Sequence, residues 1–160
     1  MKSVEKKKKL KVLIADDNSD IRALLAFFLE LERFIVVEAK NGKEAVERAV
    51  LEQPQVILMD ISMPVVDGLQ AIRIIRSQPA LRATPIIVMT AHDCSIAEEA
   101  LSAGGSYCIT KPMDFDYLIY LINISFGAPV QGNCNDGCVW GREGREGWGA
   151  IEEREMVLTA

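Results

Sequence analysis

The sequence holds one histidine, four cysteines and no apolar run approaching the ~20 residues that a membrane-crossing helix needs. It also lacks a glycine-rich phosphate loop: neither G-x4-G-K-S/T nor G-x-G-x-x-G occurs, which argues against a resident nucleotide. Positive charge is in deficit as well, since 18 Lys and Arg against 23 Asp and Glu leave a net charge of −5. A non-specific nucleic-acid binder needs a basic face, so that class is disfavoured. Lysines 6 to 9 flank a strand without interleaved aromatics and read as a solvated N-terminal tail. No apolar core or small-residue cleavage site for secretion follows them, so a cytoplasmic location is expected, with no membrane partner. There Cys94, Cys108, Cys134 and Cys138 are expected to be reduced. Cys134 and Cys138 form an isolated C-x3-C pair, a poor zinc site without a further thiol or imidazole.

A chain of 160 residues with 49% apolar and 26% charged residues suits one globular domain with a surplus. Strand-like apolar runs alternate with helical periodicity. "LKVLIA" (10–15) precedes a helix with Ile21, Leu24, Leu25, Phe28 and Leu29 on one face, opened by Asn18 and Ser19 as candidate caps. "FIVVEA" (34–39) precedes a helix carrying Ala45, Val46, Ala49 and Val50. "VILM" (56–59) precedes one marked by Leu69, Ile72 and Ile75 that ends before Pro79. "IIVMT" (86–90) precedes a helix from about Ser95 to Ala103, and "YCIT" (107–110) one from Asp114 to Phe126. Five such units in series predict an α/β, doubly wound parallel sheet covered on both faces. Every strand then ends on the same edge, where such sheets bind ligands.

Beyond Phe126 the composition shifts, with seven of the eleven glycines and both tryptophans in residues 127–160. That segment reads as a flexible tail, with a short helix near residues 150–158 as one reading.

The carboxyl edge should collect Asp16 and Asp17 from the first strand, Asp60 from the third, Thr90 from the fourth and Lys111 from the fifth. Three carboxylates in one place repel, and burial sharpens the conflict. A hard divalent cation resolves it, and Mg2+ is the natural choice because it takes a few carboxylates and keeps its waters. A lysine and a hydroxyl beside that cation suit a phosphoryl oxygen. With no nucleotide loop present, an aspartate that itself becomes the acceptor remains.

These residues resemble the receiver domain of two-component response regulators, over residues 10–126. The matching signals are Asp16-Asp17, "DISMPVVDG" (60–68), "TA" at 90–91 and "KP" at 111–112, each after its own strand. The resemblance implies a flavodoxin-like (βα)5 fold with strand order 2-1-3-4-5, between a basic tail (1–9) and the glycine-rich tail. It implies that Asp60 accepts a phosphoryl group from a sensor histidine kinase or a phosphotransfer protein. Asp17, Asp60 and the Ser62 backbone carbonyl would hold Mg2+, with Asp16 acting through water. Lys111 would pair with the phosphoryl group, Thr90 would move towards it, and Lys111-Pro112 would be cis. Output would pass to a downstream protein through the face of the fourth helix, fifth strand and fifth helix. Enzyme activity would be limited to weak self-phosphorylation and self-dephosphorylation. Asp67-Gly68 and Pro64 read as shaping residues of the loop.

Some positions depart from that pattern. The family's switch aromatic lies three residues before the lysine, which here is Cys108, while Tyr107 sits one place away and faces the other side of the strand. Cys108 reads as a small apolar filler. His92 and Ser62 occupy positions associated with how long the phosphoryl group persists, and both are expected to tune that lifetime. The last helix, "YLIYLINISF" (117–126), is apolar nearly all round, so a partner, a second copy or the tail should cover it. A haloacid-dehalogenase-type hydrolase would need an acid where Ser62 stands. A receiver that docks partners without phosphorylation is the remaining alternative.

Overall fold

Two strands have no polar face at all: every residue of Val56–Asp60 and of Ile86–Thr90 is buried. Strands of that kind belong at the centre of a sheet covered on both sides. The computed structural model describes residues 9–91, 94–126 and 140–141 and places them there. In chain order the elements are β1 (Lys11–Ala15), α1 (Ser19–Leu31), β2 (Ile35–Ala39), α2 (Gly42–Glu52), β3 (Val56–Asp60) and α3 (Gly68–Ser77). There follow β4 (Ile86–Thr90), α4 (Cys94–Ala103), β5 (Tyr107–Thr110), α5 (Phe115–Ser125) and β6 (Trp140–Gly141). The first five strands are parallel in the order β2-β1-β3-β4-β5, as expected, and β6 adds an antiparallel strand at the β5 edge.

Strand alternation divides the core in two. Leu13, Met59, Val88 and Cys108 pack with Ala45, Ala49, Ile72, Ile75, Ala97 and Ala100 of α2, α3 and α4. Val12, Ile14, Leu58 and Met89 pack on the other face with Leu25, Leu29, Leu118 and Leu121 of α1 and α5. Asn18, Asn41, Asp67 and Asp114 cap α1, α2, α3 and α5 through side-chain oxygens that accept backbone N–H groups. Each such cap is worth about 1 kcal/mol.

The helical pattern sets Leu24 on the buried face of α1 with Leu25 and Leu29, but it is 48% exposed. With Phe27 and Leu31, Leu24 forms an exposed apolar stripe along α1. On α5, Leu118, Leu121 and Ile122 are buried and Phe115 stacks on Phe28 at 4.1 Å. No helix among the described residues is long and apolar enough to cross a membrane. The expected flexible tail and its helix at 150–158 lie outside the described residues, apart from Trp140–Gly141.

Candidate functional site

The chain moves outward from β1 to β2 and then returns across β1 to β3, so the crevice at the carboxyl ends of β1 and β3 is where the strand order reverses. Asp16 leaves β1 there, fully buried and held by its own backbone: its N–H donates to the Ala39 carbonyl at 3.2 Å. Its carbonyl accepts from Arg22 Nη1 at 2.8 Å. Asp60 ends β3 and is 5% exposed, whereas Asp17 faces solvent. Thr90 ends β4, buried, and its carbonyl accepts the Lys111 N–H at 2.7 Å. Lys111 follows β5 and sends its ammonium back across the crevice to Asp16 Oδ2 at 2.6 Å and Asp60 Oδ1 at 3.0 Å. The Lys111-Pro112 peptide bond is cis, as expected.

The loop after Asp60 is fixed from both sides. The Gly68 N–H donates to the Ile61 carbonyl at 2.9 Å, and a Cβ at residue 68 would stand 2.2 Å from the Asp60 carbonyl oxygen. Only glycine permits that approach. Asp67 caps α3 through Gln70 N at 2.8 Å, which bears out its reading as a turn and helix start. At the loop's outer end the Val66 carbonyl accepts the Gly42 N–H at 3.0 Å, so the start of α2 clasps the loop. Between these anchors Val65 is 78% exposed with φ of 71°, a conformation that a β-branched residue adopts only under strain.

Ligand oxygens of Asp16, Asp17 and Asp60 lie within 4.8 Å of one another. Three carboxylates against one ammonium leave negative charge in excess. Burial raises the Asp60 carboxyl above its ordinary range; Lys111 pulls it back, and Asp16 and Asp17 push it further up. Burial disfavours the Lys111 ammonium, but its hydrogen bonds to Asp16 and Asp60 outweigh that and hold its pKa above the usual lysine value. Oxygen donors about 2.1 Å from a hard cation stand roughly 3–4 Å apart, so this cluster fits such an ion with little rearrangement. Its donors are all oxygens, which suits Mg2+ and not a thiophilic metal.

The sequence-predicted residues Asp16, Asp17, Asp60, Thr90 and Lys111 thus meet at one edge. Ser62 lies exposed in the loop two residues beyond Asp60, and His92 lies outside the described residues. Cys108 is buried among the α4-side residues, as a small filler should be, while Tyr107 packs on the opposite face. Sequence reasoning missed two supports. Asn18, read only as a cap, also donates its N–H to Asp16 Oδ1 at 2.9 Å. Arg22 grips the Asp16 carbonyl while pairing with Glu38 at 3.2 Å. An arginine one turn into a helix after a paired acid was the available signal, and it is a weak one.

A parallel 2-1-3-4-5 sheet with acids and a lysine on its carboxyl edge defines a receiver. The chain belongs to the response regulator receiver domain family, whose model matches residues 12–123. It is 36% identical over 113 residues to the regulatory protein AtoC of Escherichia coli, covering 70% of this chain and 24% of AtoC. An uncharacterized 14.6 kDa protein of Leptolyngbya boryana is 38% identical over 112 residues, covering 69% of this chain and 86% of that protein. The chain spans 42% of ResD of Bacillus subtilis, at 39% identity. Among solved structures, the Vibrio cholerae chemotaxis protein CheY4 superposes with a TM-score of 0.70 at 27% identity, covering 73% of this chain and 98% of that one. The receiver domain of sensor histidine kinase PA1611 from Pseudomonas aeruginosa has a TM-score of 0.71 at 30% identity, over 75% of this chain and 99% of that one. That structure carries a magnesium ion coordinated in its active site cleft.

Proposed function

We propose that this receiver is a phosphorylation-controlled binding switch with Asp60 as acceptor. One observation carries the reading: Asp60 ends a buried strand with Lys111 Nζ at 3.0 Å and two further carboxylates beside it. In transfer from a phosphohistidine, an Asp60 carboxylate oxygen forms the new bond to phosphorus as the phosphorus–nitrogen bond breaks. The electron pair of that bond stays on the imidazole nitrogen. The donor is a sensor histidine kinase or a phosphotransfer protein. Asp17, Asp60 and the Ser62 carbonyl, with Asp16 through water, would hold Mg2+, which would supply charge neutralisation. Lys111 stays on Asp16 while its contact with Asp60 passes to the incoming phosphoryl oxygens. The new group adds roughly −1.5 to −2 charges. Thr90 moves towards it, and the loops after β4 and β5 carry the change to the face of α4, β5 and α5, where a downstream protein binds. The chain's self-dephosphorylation is paced by Ser62 and His92, so exchanging both should change the decay rate of the phosphorylated protein.

A phosphate-retarding gel after incubation with acetyl phosphate tests the reading. A retarded band that needs Mg2+ and disappears on adding a chelator supports it. No retarded band under any condition returns the alternative of a docking module independent of phosphorylation.

A further inference from the structure

β5 is the last parallel strand of the sheet, and an edge strand of that kind presents a row of N–H and C=O groups to any strand that arrives. Here one has arrived from the same chain. Trp140–Gly141 pairs antiparallel with the first half of β5, with Gly141 opposite Tyr107 and Trp140 opposite Cys108. The same two β5 residues pair on their other side with Ile87 and Val88 of β4. Ile109 and Thr110 have β4 partners only, among the described registers. The two-residue strand also lies against α4. It therefore sits on the face of α4, β5 and α5 and covers the half of β5 remote from Lys111.

We infer that Trp140–Gly141 is an intramolecular clasp on the β5 edge, and that a partner using this face must displace it. The inference rests on the proposed output face. A two-residue strand closes only one or two backbone hydrogen bonds, each a modest net contribution because water competes for the same groups. Phosphorylation shifts that reach β5 through Lys111 and Thr90 need supply no more than that to release it. The device is weak enough to open and placed where opening matters.

Hydrogen exchange of the full-length chain, read by mass spectrometry on peptides spanning residues 105–111, tests this. Trp140→Pro and Gly141→Pro each remove a backbone donor from β6 without touching the receiver core. Both variants are expected to exchange at least about tenfold faster in that peptide, the change that loss of ~1.4 kcal/mol of protection gives, with peptides covering β1 and β3 unchanged. Equal exchange in wild type and both variants overturns the clasp. Protection that grows with protein concentration also overturns it, because the strand would then come from a second copy. In the wild-type chain, acetyl phosphate and Mg2+ are expected to bring the same loss of protection. A chain whose mass shows one phosphoryl group but whose peptide stays protected overturns the release step. A chain that gains no phosphoryl group overturns the proposed function instead, and the proline variants still read the clasp.

Discussion

The Lys111 ammonium lies 2.6 Å from Asp16 Oδ2 and is thus held more closely by Asp16 than by Asp60, at 3.0 Å. Asp16 is fully buried and fixed through both its backbone groups, so it anchors the lysine. Of the two carboxylates that Lys111 contacts, Asp60 is the less closely held, and it keeps Asp16 and Asp17 as acidic neighbours.

That imbalance has a thermodynamic signature. The folded-state pKa of Asp60 is raised, first by burial and then by its acidic neighbours against the pull of Lys111. The folded state therefore binds the Asp60 proton more tightly than the unfolded state does, and stability is lost as pH rises through that window. Without divalent cation at neutral pH, Asp60→Asn is expected to melt higher than wild type by roughly 3–5 °C. The gap should close as pH falls below the raised pKa, and thermal melts across a pH series measure it.

Removing the lysine works in the opposite direction. Lys111→Met leaves Asp16, Asp17 and Asp60 without a cation, and breaking a largely buried ion pair costs several kcal/mol. The variant is expected to lose about 2–4 kcal/mol in a urea titration without Mg2+. Saturating Mg2+ should recover part of the loss, because the cation replaces the missing charge.

The loop geometry predicts two opposite effects. Gly68→Ala would set a Cβ 2.2 Å from the Asp60 carbonyl oxygen, so it should destabilise by about 1–3 kcal/mol and slow phosphoryl uptake. Val65→Gly relieves a positive φ at a residue that is 78% exposed and should stabilise by about 1 kcal/mol with uptake unchanged. Denaturant midpoints and labelling rates for both variants check the pair.

The α1 stripe offers a separate test. Leu24, Phe27 and Leu31 are 48%, 57% and 61% exposed, and α1 begins beside Asp16 and Asp17. On the proposed function, this apolar stripe, with spacings of three and four residues, is where a helix of the phosphodonor would pack. Phe27→Glu is expected to slow transfer from a phosphorylated histidine phosphotransfer domain at least about tenfold, the effect of losing ~1.4 kcal/mol of docking energy. Labelling by acetyl phosphate, which needs no docking, should stay as it was.

The central strands β3 and β4 were legible because both their faces are covered, leaving the unbroken apolar runs "VILM" and "IIVMT". The site was legible because each acid, hydroxyl or lysine directly follows an apolar run. What periodicity cannot do is set each helix's rotation about its own axis, so Leu24, on the apolar face of α1 by pattern, lies 48% exposed. Contacts between distant segments left no local trace either. Gly42 against Val66 and Arg76 donating to the Gly104 carbonyl at 2.8 Å arise only from packing. A two-residue strand such as β6 is shorter than any period that could announce it.

The most direct test of Asp60 as acceptor is chemical trapping after acetyl phosphate and Mg2+. Borohydride reduces an acyl phosphate and converts the aspartate that bore it to homoserine, which peptide mass spectrometry locates. Homoserine at position 60 and nowhere else, absent from Asp60→Asn, is the predicted result. Homoserine at Asp16 or Asp17, or trapping that persists in Asp60→Asn, would contradict it.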